Sequence, residues 1–293
     1  MKKLIFSLFS IFILLALPLQ ANEIDMSILN DLEIPKIVDP DDRKEITGKA
    51  SEIVVLDTPY ARCSGSMVAS NIVLTAAHCL IDEKGNYVKE INVYAVGLPP
   101  AFQDPLSKSK LADDTIFKKM KYSDIYYYAT AKDLWVPDQY IQATINNIQY
   151  DSREYVLPLY DYGFIILDTD LGEITNWLKL KVPSDEELTN ADMMVIGRGG
   201  DKPFLSLWES PGKIGKVENH YIYHNANTVS GNSGSPVFKE GDPENIIAID
   251  DFEYKHAGKI RASLGLTVYP NGALRIRQEM IDTLNGLQGS FHW

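Results

Sequence analysis

The sequence predicts an all-β protein, and three observations carry the prediction. Short β-branched runs recur between turn signals, as at residues 53–56, 64–68 and 72–74. Asn271-Gly272 is a two-residue hairpin signal leading into another such run at 273–276. The clearest helical face, formed by Met280, Ile281, Leu284 and Leu287, comes only after the last of these runs. A β-sandwich or a β-barrel satisfies this pattern. The 293 residues suit one large or two small domains.

Taken in order, the chain opens with Lys2 and Lys3, an almost wholly apolar run at 4–17, and the small residue Ala21. Residues 1–21 read as a cleavable secretory signal, too short in apolar length for a membrane span. A secreted or periplasmic protein without a membrane anchor is expected. Residues 22–36 are mixed and acidic and read as a pro-segment or a loosely held arm, with a weak processing site at 36–38. Residues 37–168 form a first β-unit. Within it, about 98–160 reads as a long insertion containing Pro99, Pro100, Pro105, Pro137 and Pro158, with one strand at 133–141. Tyr126, Tyr127 and Tyr128 in that stretch read as packing rather than a ligand site. The continuous apolar run 164–167 implies a strand covered on both faces. Residues 169–190 read as a connector and 191–293 as a second β-unit with the terminal helix. Its strands are expected at 192–196, 214–217, 221–223, 246–249, 264–268 and 273–276.

The net charge is −12, and removing residues 1–21 with their two lysines gives 26 − 40 = −14. That balance argues against nucleic-acid binding, which needs a basic face. The Gly-rich loop 197–203 lacks the spacing of a phosphate-binding loop. His220 and His224 are four apart, but their segment reads as strand and offers no third ligand, so no metal and no cofactor are expected. Cys63 and Cys79 are the only cysteines. In an oxidising compartment they pair as a disulfide, the alternative being two buried free thiols.

Three local motifs carry chemistry. Gly231-Asn232-Ser233-Gly234-Ser235-Pro236 is a tight bend that can expose one hydroxyl and turn backbone N–H groups inward. Thr75-Ala76-Ala77-His78-Cys79 places an imidazole at a strand end beside small residues. Asp161 heads the buried strand, where an ionised carboxylate is costly unless paired, and a histidine would satisfy it. A base within reach of the hydroxyl, and a carboxylate to hold its tautomer, are what acyl transfer requires. Each motif alone has a blander reading: a polar turn, a core histidine, a turn-capping Asp.

Together, in the order His78, Asp161, Ser233, the motifs resemble those of the trypsin-like, chymotrypsin-fold serine peptidases, and within them the secreted bacterial glutamyl endopeptidases. Residues 63–66 through His78-Cys79, Tyr160-Asp161-Tyr162-Gly163 and the serine bend match the three blocks of that family, over roughly residues 37–285. Gly199 to Pro203 and Trp208 also look like a segment of that branch. The resemblance implies two six-stranded antiparallel β-barrels with a C-terminal helix, and polypeptide substrates. It also implies that Ser233 is the nucleophile, His78 the base then acid, and Asp161 the orienter, with Gly231 and Ser233 N–H groups as the oxyanion hole. A catalytically silent homologue serving as a binding module is the alternative.

Two departures from the family pattern stand out. Asn232 replaces the carboxylate that pairs with a new amino terminus in trypsins, so activation by that ion pair is excluded. In the specificity pocket, Asn227 and Thr228 precede the serine block, and the strand after it carries Asp250, Asp251 and Glu253 where glutamyl endopeptidases place a histidine. If Asp250 faces the substrate, acidic residues are disfavoured before the scissile bond; if these acids point outward, they have no such effect.

Overall fold

The computed structural model describes residues 40–48, 50–96, 127–146, 159–253 and 271–290. The signal and pro-segment expected at 1–36 and the strand expected at 264–268 lie outside these residues.

Two closed barrels make up the fold. β1 (Lys44–Ile46) lies outside the first, which is built from β2 (Ile53–Asp57), β3 (Arg62–Ala69), β4 (Ile72–Thr75), β5 (Asn92–Ala95), β6 (Tyr127–Trp135) and β7 (Gly163–Leu167), closing in the order β2-β3-β4-β7-β6-β5. The second uses β9 (Asp192–Gly197), β10 (Leu207–Val217), β11 (Tyr221–His224), β12 (Pro236–Lys239), β13 (Asp242–Glu253) and β14 (Asn271–Arg275). Its order is β10-β11-β14-β13-β12-β9, and pairing of β9 with β10 closes it. All pairs within the barrels are antiparallel. Short β8 (Lys179–Leu180) adds to β13 in parallel.

Period-two alternation explains why several strands are apolar on both faces. Val54, Leu56, Met67, Val73, Val93, Ile165 and Leu167 fill the first barrel. Val195, Ile214, Ile222, Val237, Ala248 and Ala273 fill the second. The alternate residues Ile53, Val55, Ile72, Leu74 and Phe164 point the other way and join Leu207, Phe238, Ile249 and Leu274 in a third core between the barrels. The C-terminal helix, Gln278–Ser290, closes that core with Met280 and Leu284. At about 25 cal/mol per Å² of apolar surface, this shared layer is what fixes one barrel against the other.

Three segments differ from the sequence reading. The stretch 98–160 contains β6, a stave of the first barrel, and a helix, Asp138–Ile145, where one strand was expected at 133–141. A register shift between Ala131 and Asp133 breaks the alternation that would have marked β6, and Pro137 ends the strand and starts the helix. Of the tyrosines there, Tyr127 and Tyr128 do pack, Tyr128 lying 6.0 Å from Tyr94, ring to ring, while Tyr126 lies outside the described residues. The connector holds β8 and two single-turn helices, Gly172–Thr175 and Asp185–Leu188. Finally, the segment after residue 39 belongs to the second barrel rather than the first. β1 pairs with β10, and Arg43 is fixed by Asp41 and by Asp201 of the 197–203 loop, so ion pairing and strand addition override chain order.

Candidate active site

His78 sits in a 3-10 turn, Ala77–Cys79, directly after β4. Ala76 and Ala77 are fully buried, and their small side chains let the imidazole stand at the surface, 35% exposed. The Cys63–Cys79 disulfide ties this turn to β3. Asp161 lies just ahead of β7 and grips His78 twice. Oδ1 accepts from the His78 backbone N–H at 2.8 Å, and Oδ2 lies 2.8 Å from Nδ1. A carboxylate only accepts, so Nδ1 carries the proton and Nε2 is left as the acceptor on the exposed edge. Behind Asp161, Arg277 donates to the Leu159 carbonyl and lies over the rings of Tyr160 and Tyr162, anchoring this segment to the start of the C-terminal helix.

Burial disfavours charge on both partners, but the pair outweighs it. The Asp161 charge and hydrogen bond, with a contribution from Asp250, raise His78 above its ordinary 6.5. The His78 charge and its two hydrogen bonds in turn hold Asp161 below the ordinary 3.8, against the cost of burial.

The serine bend is a turn from Val229 to Asn232, closed by Asn232 N–H donating to the Val229 carbonyl at 3.0 Å. Gly231, third in the turn, has φ +102°, which is where a type II turn requires glycine. The Ser230 carbonyl accepts from Gly200 N–H at 2.6 Å. In a trans peptide the N–H points opposite to the C=O, so Gly231 N–H faces away from Gly200. Among the described residues neither Gly231 N–H nor Ser233 N–H has a backbone partner. The Asn232 amide oxygen accepts from Val229 N–H at 3.1 Å, so this side chain braces the turn instead of receiving an ion pair.

Ser64 of β3 fastens the bend to the first barrel. Its N–H donates to the Ser233 carbonyl at 2.9 Å and its hydroxyl to the Gly231 carbonyl at 3.0 Å. Thr75 braces Ser64 in turn, its hydroxyl donating to the Ser64 carbonyl at 2.8 Å. Gly234, with φ +81°, lies so close to β4 that an added Cβ would fall 2.2 Å from Thr75 Oγ1 and 2.9 Å from Ala76 N. The bend is thereby pressed against the residues leading into His78. His78 and Asp161 are thus joined directly. Ser233 is brought alongside by backbone contacts, and its hydroxyl has no hydrogen-bond partner among the described residues.

The pocket candidates are all buried. The Asn227 side-chain amide donates to Asp42 Oδ1 at 2.8 Å, so it holds the 40–46 arm, while the Asn227 backbone carbonyl accepts from the Ser210 hydroxyl. Thr228 is 3% exposed. Asp250 Oδ1 lies 3.2 Å from Nε2 of His224, which is fully buried on β11, and its backbone brackets the serine: Gly234 N–H donates to the Asp250 carbonyl and Asp250 N–H to the Ser235 carbonyl. Asp250 and Asp251 therefore do not point outward. His220 contacts Arg277 at 2.8 Å and shares nothing with His224. His78, Asp161 and Asp251 place three potential ligand atoms within 4.8 Å of one another, but Nδ1 of His78 is already protonated toward Asp161.

Sequence reasoning gave Ser64 and Thr75 no role of their own, weighed His224 only as half of a metal pair, and missed the Arg43–Asp201 contact. Ser64 lay in the matched block beside Cys63, but its reach across the barrels depends on tertiary contact. Nothing local in the sequence distinguishes Asp251 from an acid that points outward.

Fold and site together define a two-barrel protein with a carboxylate-held histidine whose turn lies against a glycine-flanked serine bend. The family model described as Trypsin matches residues 46–264, and the chain belongs to that family. Within it the chain is similar to the glutamyl endopeptidase of Bacillus licheniformis, 22% identical over 213 residues, covering 71% of this chain and 56% of that protein. The glutamyl endopeptidase of Staphylococcus epidermidis is 25% identical over 185 residues, covering 63% of this chain and 52% of that one. The chain thus spans about half the length of these relatives. A solved structure titled as a Glu endopeptidase in complex with MPD superposes with a TM-score of 0.62 at 19% identity, covering 86% of this chain and 99% of that one. The protease Anisep from Arthrobacter nicotinovorans gives 0.51 at 16% identity, covering 79% and 91%. At such identity these two neighbours speak for the fold.

Proposed function

We propose that the protein is an exported serine endopeptidase that cleaves polypeptides through an acyl-enzyme. The observation that carries this reading is the two-point grip of Asp161 on His78, which leaves Nε2 free as a base beside the serine bend. Ser233 Oγ attacks the scissile carbonyl carbon while its proton passes to His78 Nε2. The oxyanion that develops is received by the N–H groups of Gly231 and Ser233. His78 then gives the proton to the leaving amine, and water repeats the sequence to release the acyl group. Asp161 stays ionised throughout and stabilises the imidazolium. Residues 1–21 serve export and 22–36 are removed or held aside.

Asp250, buried beside the serine bend, supports a preference against acidic residues before the scissile bond. This distinguishes the chain from relatives named for glutamyl cleavage. A second reading, a silent homologue used for binding, draws on the unpartnered Ser233 hydroxyl. Apo catalytic hydrogen bonds are often long and tighten on binding, which favours the enzyme. A fluorophosphonate probe separates the two: the secreted protein labels and Ser233→Ala does not. A wild-type protein that never labels supports the binding module. In a peptide-library profile, cleavage after Glu is a minor product; a profile dominated by Glu contradicts the pocket assignment.

A further inference from the structure

We infer that Asp251 is a positioning residue that acts as a neutral carboxylic acid: it donates a hydrogen bond to Asp161, and so fixes the carboxylate that holds His78. The inference takes its catalytic meaning from the triad reading above, but its test does not depend on activity.

The geometry begins with a bulge. On β13, Asp250 sits opposite Ala273 of β14 and Phe252 opposite Gly272, so Asp251 is the extra residue between them. Bulges beside active sites re-aim a side chain. Here Asp250 turns to His224, while Asp251 reaches back toward the first barrel. Its Oδ1 lies 3.8 Å from His78 Nδ1, the nitrogen already committed to Asp161, and its side chain is 0% exposed. The nearest oxygens of Asp161 and Asp251 are within 4.8 Å of each other.

Neither Asp251 oxygen has a donor among the described residues. An ionised carboxylate buried without donors or a counter-ion is among the costliest arrangements a core can hold. His78 cannot serve both carboxylates, because its one Nδ1 proton goes to Asp161. Among the described residues, the titratable groups facing Asp251 are His78 and Asp161 from the first barrel and Asp250 on its own strand, with His224 of β11 behind Asp250. With Asp251 itself, three of these five groups are acids. Two carboxyls buried side by side disfavour each other's ionisation, and one shared proton relieves the repulsion. Asp161 keeps its charge because His78 supplies two N–H donors to it. The proton therefore rests on Asp251. Burial, and then the Asp161 and Asp250 charges, push Asp251 well above the ordinary 3.8, in the same direction. Once protonated, Asp251 becomes the donor the buried pair otherwise lacks, and the Asp161–Asp251 pair carries one negative charge instead of two.

The histidine pKa separates a neutral Asp251 from an ionised one by sign. The measurement is an NMR titration of ring-labelled histidine in the full secreted chain, with the His78 signal assigned by its loss in His78→Gln. Asp251→Asn keeps a neutral donor to Asp161, so its His78 pKa stays within about 0.3 of wild type. Asp251→Ala removes the donor, which concentrates the Asp161 charge on His78 and raises the pKa by roughly half a unit to one unit. If Asp251 were ionised in the native protein, both substitutions would remove a negative charge beside His78 and lower its pKa by about one unit or more. That result overturns the inference, and so does a set of three proteins with the same pKa. If Asp251→Ala fails to fold, Asp251→Asn decides alone: an unchanged value supports a neutral donor and a fall contradicts it. Fluorophosphonate labelling is read in parallel. Its absence in wild type would count against the triad, while the titration would still judge Asp251.

Discussion

At the scale of single residues, the site is organised by which side chains may carry charge. His78 is partly exposed and Asp161 nearly buried, and each holds the other in its charged form against the cost of burial. The sign of the effect on catalysis follows. The base must be neutral, and its pKa lies above 6.5, so kcat/KM rises with pH along an acid limb centred above that value. The ion pair's contribution to stability has a different window. The part linked to Asp161 is present above 3.8 and is lost as pH falls through its lowered pKa. Asp161→Asn removes both the charge and the tautomer control. It lowers the His78 pKa, moves the acid limb toward lower pH and cuts the labelling rate by about 10⁴-fold, as loss of the carboxylate does in triads generally. A pH–rate profile of the variant checks both parts, and an unmoved acid limb would show that Asp161 does not set the state of His78. The residues in this pair were legible from the sequence because each lies in a local motif. Asp251 was not, because nothing in Asp250-Asp251 tells which of two neighbouring acids turns toward a third one 90 residues earlier.

At the scale of elements, two short segments do most of the positioning. The 3-10 turn carrying His78 is held at one end by β4 and at the other by the Cys63–Cys79 bridge, which closes a 16-residue separation. A loop of that length is stabilised by about 3 kcal/mol when cross-linked. Replacing both cysteines by serine therefore lowers unfolding free energy by roughly 2–4 kcal/mol in denaturant titration. It also slows labelling, because the turn that presents the imidazole loosens; unchanged stability and labelling would show that the turn is held by packing alone. The serine bend depends on glycine at two places for different reasons. Gly231 supplies the turn conformation that aims its N–H, and Gly234 allows approach to Thr75. The bend and the histidine turn were readable as local signatures. β6 was not, since the shift after Ala131 hides its period and puts the exposed residues Lys132 and Asp133 in mid-strand. The addition of β1 to β10 was equally invisible, because strand pairing between positions so far apart leaves no local pattern.

At the scale of the whole molecule, the barrels are joined by an apolar layer and by a few polar contacts concentrated at the site. Ile53, Val55 and Phe164 meet Phe238, Ile249 and Leu274 across that layer. Ser64 then ties the serine bend across it, and its hydroxyl also accepts from Arg198 N–H at 2.9 Å. The two-barrel plan was legible through its motifs, and the doubled apolar faces of strands such as β7 foretold burial on both sides. The cross-barrel polar bracket needed coordinates, since it links positions 64, 198 and 231. The central claim is that a histidine from one barrel and a serine from the other meet over two inward N–H groups. A crystal structure of the phosphonylated protein tests it most directly. The account predicts phosphorus on Ser233 Oγ, a phosphonyl oxygen about 2.7–3.1 Å from the N–H groups of Gly231 and Ser233, and His78 Nε2 within about 3.2 Å of the reacting oxygens. A phosphonyl group attached elsewhere, or attached to Ser233 with its oxygen turned away from both N–H groups, would contradict it.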